Sequence, residues 1–138
     1  MKMVLYVCVH NAGRSQMAEA FTNALAKEKH LEVRGESAGT VAGAKINPVA
    51  QEVMLELGIS MEAQHPKPLT QPLADSADKI ITMGCGVDAQ ACPARILISE
   101  DWGLDDPAGQ GIEKVREIRD QIKVRVEALL SELSERGS

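Results

Sequence analysis

The 138-residue sequence is poor in aromatic residues: Tyr6, Phe21 and Trp102 are the complete set. A site that stacks substrate rings or nucleic-acid bases has almost nothing to build with. Basic charge is also short. Fifteen Lys and Arg against 20 Asp and Glu leave a formal net charge of -5, which argues against a nucleic-acid partner, because phosphate backbones require a basic face. No apolar run approaches the roughly 20 residues of a membrane span, so no membrane association is expected. Met1-Lys2-Met3-Val4-Leu5 enters strand-like sequence without a signal-peptide pattern, and a cytoplasmic location is the expectation. Three cysteines are too few, and odd in number, for a closed disulfide framework. They are either buried free thiols or thiols with chemistry to do.

What is present suits a globular α/β protein. Hydrophobic residues are 44% and charged residues 25% of the chain, enough for one buried core, and residues 1–138 are expected to form a single domain. Val4-Leu5-Tyr6-Val7 reads as a strand buried on both faces. Met17, Ala20, Phe21, Ala24 and Leu25 fall on one side of a helix. Leu31 to Ala38 reads as a second strand ending at Gly39. Asn47-Pro48 reads as the start of a second helix, with Val49, Val53, Met54 and Leu57 as its apolar face and Gly58 as its stop. Gln64 to Pro72 is proline-rich and reads as a loop. Lys79 to Met83 and Arg95 to Ile98 read as the third and fourth strands. Ile112, Val115, Ile118, Ile122, Val126, Leu129 and Leu133 mark a long amphipathic helix at the end. Alternating strands and helices imply a parallel sheet covered on both faces, with ligands at the carboxyl ends of its strands.

The most informative segment is Cys8-Val9-His10-Asn11-Ala12-Gly13-Arg14-Ser15. It lies between an apolar strand and an amphipathic helix. A short loop entering a helix N-terminus points backbone N–H groups inward and binds a tetrahedral anion. The amides of Val9, His10, Asn11, Ala12 and Gly13 are the expected cradle, with Gly13 relaxing the backbone and Arg14 offering a planar fork of donors. Cys8 at the base would be held as a thiolate by the same positive field. Ser15 could donate a hydrogen bond to that sulfur. His10 is read as a solvated loop residue rather than a proton carrier.

Two further segments carry chemistry. Asp105-Asp106-Pro107 supplies a carboxylic acid to protonate a departing oxygen, and Asp106 is the choice because Pro107 restricts its backbone. Cys85 and Cys92 lie seven positions apart, unlike zinc-ligand spacings or the Cys-x-x-Cys of redox folds. Following the third strand, they should emerge at the same sheet edge as Cys8, and two thiols beside an activated thiolate suggest disulfide exchange.

Taken in order, Cys8 to Glu19, Met83-Gly84-Cys85-Gly86-Val87-Asp88 with Cys92-Pro93, and Asp101 to Pro107 resemble the thioredoxin-coupled arsenate reductases. That family shares the fold of low-molecular-weight protein tyrosine phosphatases. The resemblance implies a three-layer sandwich of the phosphotyrosine protein phosphatase I type, with a four-stranded parallel sheet in the order 2-1-3-4. It implies that Cys8 attacks arsenate held by the loop and Arg14, and that Asp106 protonates the leaving hydroxyl. Cys85 then attacks Cys8 to release arsenite, Cys92 attacks Cys85, and thioredoxin, or alternatively glutaredoxin, reduces the Cys85–Cys92 disulfide. No cofactor is required, although Asn11, Glu19 and Ser37 match a potassium site of some members. Gln64-His65-Pro66-Lys67-Pro68 lacks the acid that would complete it. A monomer is expected. The rival readings are a tyrosine phosphatase, which would need neither Cys85 nor Cys92, and a non-catalytic thiol sensor, which would not need Asp106.

Overall fold

A computed structural model describes residues 2–83, 99–105, 107 and 109–137, without the side chains of 135–137. Strand β1 spans Lys2–Cys8, helix α1 Arg14–Glu28, strand β2 Val33–Gly39, helix α2 Pro48–Leu55, helix α3 Gln71–Ser76, strand β3 Lys79–Thr82, strand β4 Glu100–Asp101 and helix α4 Ile112–Gly137. The strands form one sheet in the order β2-β1-β3-β4, and every pairing is parallel. This is the architecture and strand order that the resemblance implies. The expected fourth strand at Arg95–Ile98 lies outside the described residues. The described pairing on β3 comes just after it, at Glu100 and Asp101, and continues through Trp102 N–H to Thr82 O at 2.9 Å.

Successive side chains of a strand point to opposite faces, and β1 divides the core accordingly. Val4, Tyr6 and Cys8 join α1, α2 and α4 in the larger apolar cluster. Met3, Leu5 and Val7 face the other way, with Ala38, Leu69, Ile80 and Ala74 of α3. All seven residues of the expected apolar stripe of α4 fall within it, and all but Ile112 are buried. The three aromatics are all core residues. Tyr6 and Trp102 pack with ring centroids 5.5 Å apart, and the Tyr6 hydroxyl meets Thr22 Oγ1 at 2.7 Å.

Three expectations change. Helix α3 begins inside the stretch read as loop, at Gln71, where Thr70 accepts from Leu73 N–H as its N-cap. The signal was a threonine cap and a proline in the first turn, set in a run of prolines that favours a loop reading. Leu57 lies beyond the end of α2 and is 41% exposed; the buried face is Ala50, Val53 and Met54. Helix α1 buries polar residues as well as its apolar stripe, among them Gln16, Glu19 and Thr22. It packs so closely on the edge strand β2 that a Cβ at Gly35 would lie 2.8 Å from Thr22 Cβ. The Asn23 amide pairs with both backbone groups of Gly35 at 2.9 and 3.0 Å. The Asn47 cap is as expected, its Oδ1 accepting from Val49 N–H and Ala50 N–H.

Candidate active site

The loop between β1 and α1 is built by a second chain segment lying alongside it. Thr40 N–H donates to Cys8 O at 3.1 Å, Val41 N–H to Val9 O at 2.8 Å, Gly43 N–H to His10 O at 2.8 Å and Asn47 N–H to Ala12 O at 2.8 Å. The Gln16 side chain takes Asn11 O at 3.0 Å. The carbonyls of residues 8 to 12 are thus all engaged from outside. Across a trans peptide the N–H points opposite to the preceding carbonyl, and the chain has no cis bond among the described residues. The amides of Val9, His10, Asn11, Ala12 and Gly13 therefore point away from those carbonyl partners. A row of such donors beside a helix N-terminus can bind an anion. Cys8 ends β1 beside this loop and is buried.

Asn11 holds the loop together. Its φ of 54° is left-handed, a conformation asparagine tolerates better than most residues. Both ends of its side chain are engaged. Nδ2 donates to Ser15 Oγ at 2.8 Å, and Oδ1 accepts from Gln16 Nε2 at 2.9 Å and from Lys67 N–H at 3.0 Å. With its oxygen accepting from Asn11, the buried Ser15 hydroxyl keeps its own hydrogen to donate. Gln16 extends the network to His65 O and Gln64, so the Gln64–Lys67 segment is tied to the loop. Gly39 closes the approach: a Cβ there would stand 2.6 Å from Val9 O. His10 is exposed, with Nδ1 3.1 Å from Val41 O, which fits a rim residue.

Arg14 is buried at the sheet's carboxyl edge. Its Nη1 donates to Met83 O at 3.1 Å and Leu104 O at 2.7 Å. Those bonds fix the guanidinium plane. The Nε–Nη2 edge is the parallel donor pair that matches two oxygens of a tetrahedral anion. Arg14 thus ties the start of α1 to the chain just past β3 and β4.

Gly13 (φ -136°) also supplies room, which the sequence did not flag. A Cβ at Gly13 would fall 2.8 Å from Pro107 Cγ. Pro107 thus packs directly on the Cys8–Ser15 loop. Gly13→Ala is expected to push Pro107 away and lower kcat for arsenate by roughly tenfold, since small misplacements of reacting groups are costly. Phosphate affinity should fall less. Steady-state kinetics beside a phosphate titration check this.

Of the two aspartates, Asp105 is described. It is exposed and ion-paired with Lys114 Nζ at 2.8 Å. The hydrogen bond and charge of Lys114 hold its carboxyl below the ordinary range. A carboxylate so stabilised carries no proton to give at neutral pH. Asp106, Cys85 and Cys92 lie outside the described residues.

Behind the loop, Glu19, Ser37 and Asn11 do come together, but not as a potassium site. Ser37 Oγ donates to Glu19 Oε1 at 2.6 Å, and Asn11 Oδ1 is committed to Gln16 and Lys67. The Lys67 ammonium lies 3.5 Å from Glu19 Oε1 and 2.8 Å from Glu36 Oε2. Burial raises the Glu19 carboxyl above its usual range, against the opposing pull of Ser37 and Lys67. Burial pulls the Lys67 ammonium down, but its bonds to Glu36 and Glu19 outweigh that and raise it. A second monovalent cation would meet an ammonium already in place, so these residues do not fit potassium. The sequence flagged the acid that was missing; the lysine standing in that stretch was the overlooked signal.

A parallel sheet in this order, with a Cys-x5-Arg loop feeding the first helix, defines a phosphatase-like class. The chain belongs to the low molecular weight phosphotyrosine protein phosphatase family, whose model matches residues 3–138. Within it the chain stands with the arsenate reductases. It is 38% identical over 135 residues to the glutaredoxin arsenate reductase of Synechocystis sp., covering 97% of this chain and 100% of that one. A solved arsenate reductase in a phosphate-binding state aligns with a TM-score of 0.78 at 35% identity, over 96% of this chain and 98% of that one. A thioredoxin-dependent arsenate reductase of Corynebacterium glutamicum aligns at 0.75 and 34% identity, over 97% of this chain and 62% of the longer partner. No described helix is long and apolar enough to cross a membrane.

Proposed function

We propose that this chain reduces arsenate to arsenite, with Cys8 as nucleophile and Cys85 and Cys92 as a thiol relay. The observation that carries the reading is the outward engagement of the loop carbonyls, which points five amides the other way. Arsenate enters this cradle and is gripped by Arg14. The Cys8 sulfur attacks arsenic as Asp106 protonates one oxygen, which leaves as water, and an S–As(V) bond forms. Cys85 thiolate then attacks the Cys8 sulfur. The S–As bond breaks, its electron pair reduces arsenic to As(III), and arsenite departs. Cys92 attacks Cys85, freeing Cys8, and two electrons from thioredoxin reduce the Cys85–Cys92 disulfide; glutaredoxin is the alternative donor.

Covalent geometry supports the relay. Cys85 follows Met83 by two residues, a reach of at most about 7 Å, and the Met83 carbonyl is itself bonded to Arg14. The phosphatase reading needs Cys8, Arg14 and Asp106 alone, and would place aromatics at the site mouth to hold a phenyl ring. All three aromatics are instead core residues.

Single-turnover chemistry tests the roles. Cys92→Ser is expected to release one arsenite per molecule and stop as a Cys8–Cys85 disulfide. Cys85→Ser should release none, yet still liberate phosphate slowly from a small aryl phosphate. Arsenite counting and disulfide mapping read both outcomes. Normal thioredoxin-driven turnover by Cys85→Ser would show that the relay is wrong.

A further inference from the structure

We propose that the Lys67 ammonium is this chain's built-in cation for the oxyanion loop, which makes oxyanion binding independent of potassium. The inference rests on the reading of the Cys8–Ser15 loop as an oxyanion cradle.

Lys67 is positioned by its own backbone. Gly39 N–H donates to Lys67 O at 2.9 Å, Leu69 N–H returns to Gly39 O at 2.9 Å, and Lys67 N–H donates to Asn11 Oδ1 at 3.0 Å. One residue thus touches the end of β2 and the left-handed corner of the loop. From there its side chain reaches between α1 and β2 and bridges a carboxylate on each, Glu19 and Glu36. Arg34 is the other cation near this pair, 3.6 Å from Glu36 and half-exposed. Lys67 is the only cation paired with Glu19 among the described residues.

The arrangement needs a positive charge. Glu19 is buried on the α1 turn that follows Ser15, and its described partners are the Ser37 hydroxyl and Lys67. Removing one partner of a buried pair leaves an uncompensated charge, which is strongly destabilising. The nearby Glu36 would add like-charge repulsion. A shift of residues 64–68 would relieve this, and these hold Asn11 and Gln16 by hydrogen bonds. Asn11 in turn holds Ser15. Lys67 is therefore a positioning residue: it makes no contact with the oxyanion, but sets the loop that does.

The probe is inorganic phosphate, titrated calorimetrically in potassium chloride and in N-methylglucamine chloride of equal ionic strength, with melting temperatures in each salt. The wild-type chain should bind phosphate equally in both and melt equally in both. Lys67→Ala, which leaves room for an ion, should bind about tenfold more weakly with the bulky cation, the order of a lost hydrogen bond to a charged group. Potassium should restore most of its affinity and raise its melting temperature. Lys67→Arg should stay insensitive to potassium. A potassium-dependent wild-type affinity would overturn the proposal. So would a Lys67→Ala protein that binds normally in both salts, or one that is weakened without any potassium response. A wild-type chain that binds no phosphate in either salt would instead strike at the oxyanion reading itself.

Discussion

Cys8→Ser is expected to release no arsenite, under single or multiple turnover and with any thiol donor. Serine is nearly the same size, and Cys8 packs in the core cluster on the face of β1 shared with Val4 and Tyr6. The fold and the cradle should therefore persist, and phosphate should still bind. What changes is ionisation. A helix N-terminus favours the thiolate form of a cysteine, whereas an alcohol in the same place stays protonated. The redox step is lost as well, because an alkoxide bonded to arsenic cannot accept attack by Cys85 and leave as half of a disulfide. Preserved melting and phosphate binding with zero arsenite is the expected pattern. Arsenite from this variant would place the nucleophile elsewhere.

The elements most legible in the sequence are those whose own residues decide them. The apolar spacing of α4 and the Asn47-Pro48 start of α2 need no partner to be read, and both match the structure. The Cys8–Ser15 loop is legible because strand, spacing and helix occur within about two dozen residues. What escaped depends on groups far apart in the chain. The segment 40–47 turns the loop carbonyls outward through four main-chain bonds that no local pattern records. Lys67 and Glu19 are 48 positions apart and meet only because β2 carries Gly39 against residues 67–69. Gly13 was read for its backbone freedom. Its packing against Pro107 requires knowing that the β4 exit returns over the loop. Leu57 followed the helical spacing of its neighbours, but α2 had already ended.

Asp106→Asn is expected to slow the first chemical step by about 100-fold, the usual worth of a positioned general acid. Phosphate affinity should be little changed, because an amide preserves size and the cradle's donors belong to other residues. The departing arsenate oxygen needs a proton as the sulfur bonds to arsenic. Asp105 cannot supply it: it faces solvent, paired to Lys114 at 2.8 Å, and that partner holds it ionised. Asp106 is flanked by Pro107, whose ring rests against Gly13 of the oxyanion loop. The residue before a proline has a narrowed backbone range, so a Pro107 anchored on the loop restricts where the Asp106 carboxyl can go. Asp105→Asn should therefore cost little beyond its exposed ion pair, which adds little to stability. Rapid-quench measurement of the burst of arsenite from Asp106→Asn and Asp105→Asn, with Cys85 and Cys92 intact, ranks the two. If Asp105→Asn proved the slower protein, the acid would be Asp105, and its pairing with Lys114 would have to break when arsenate binds.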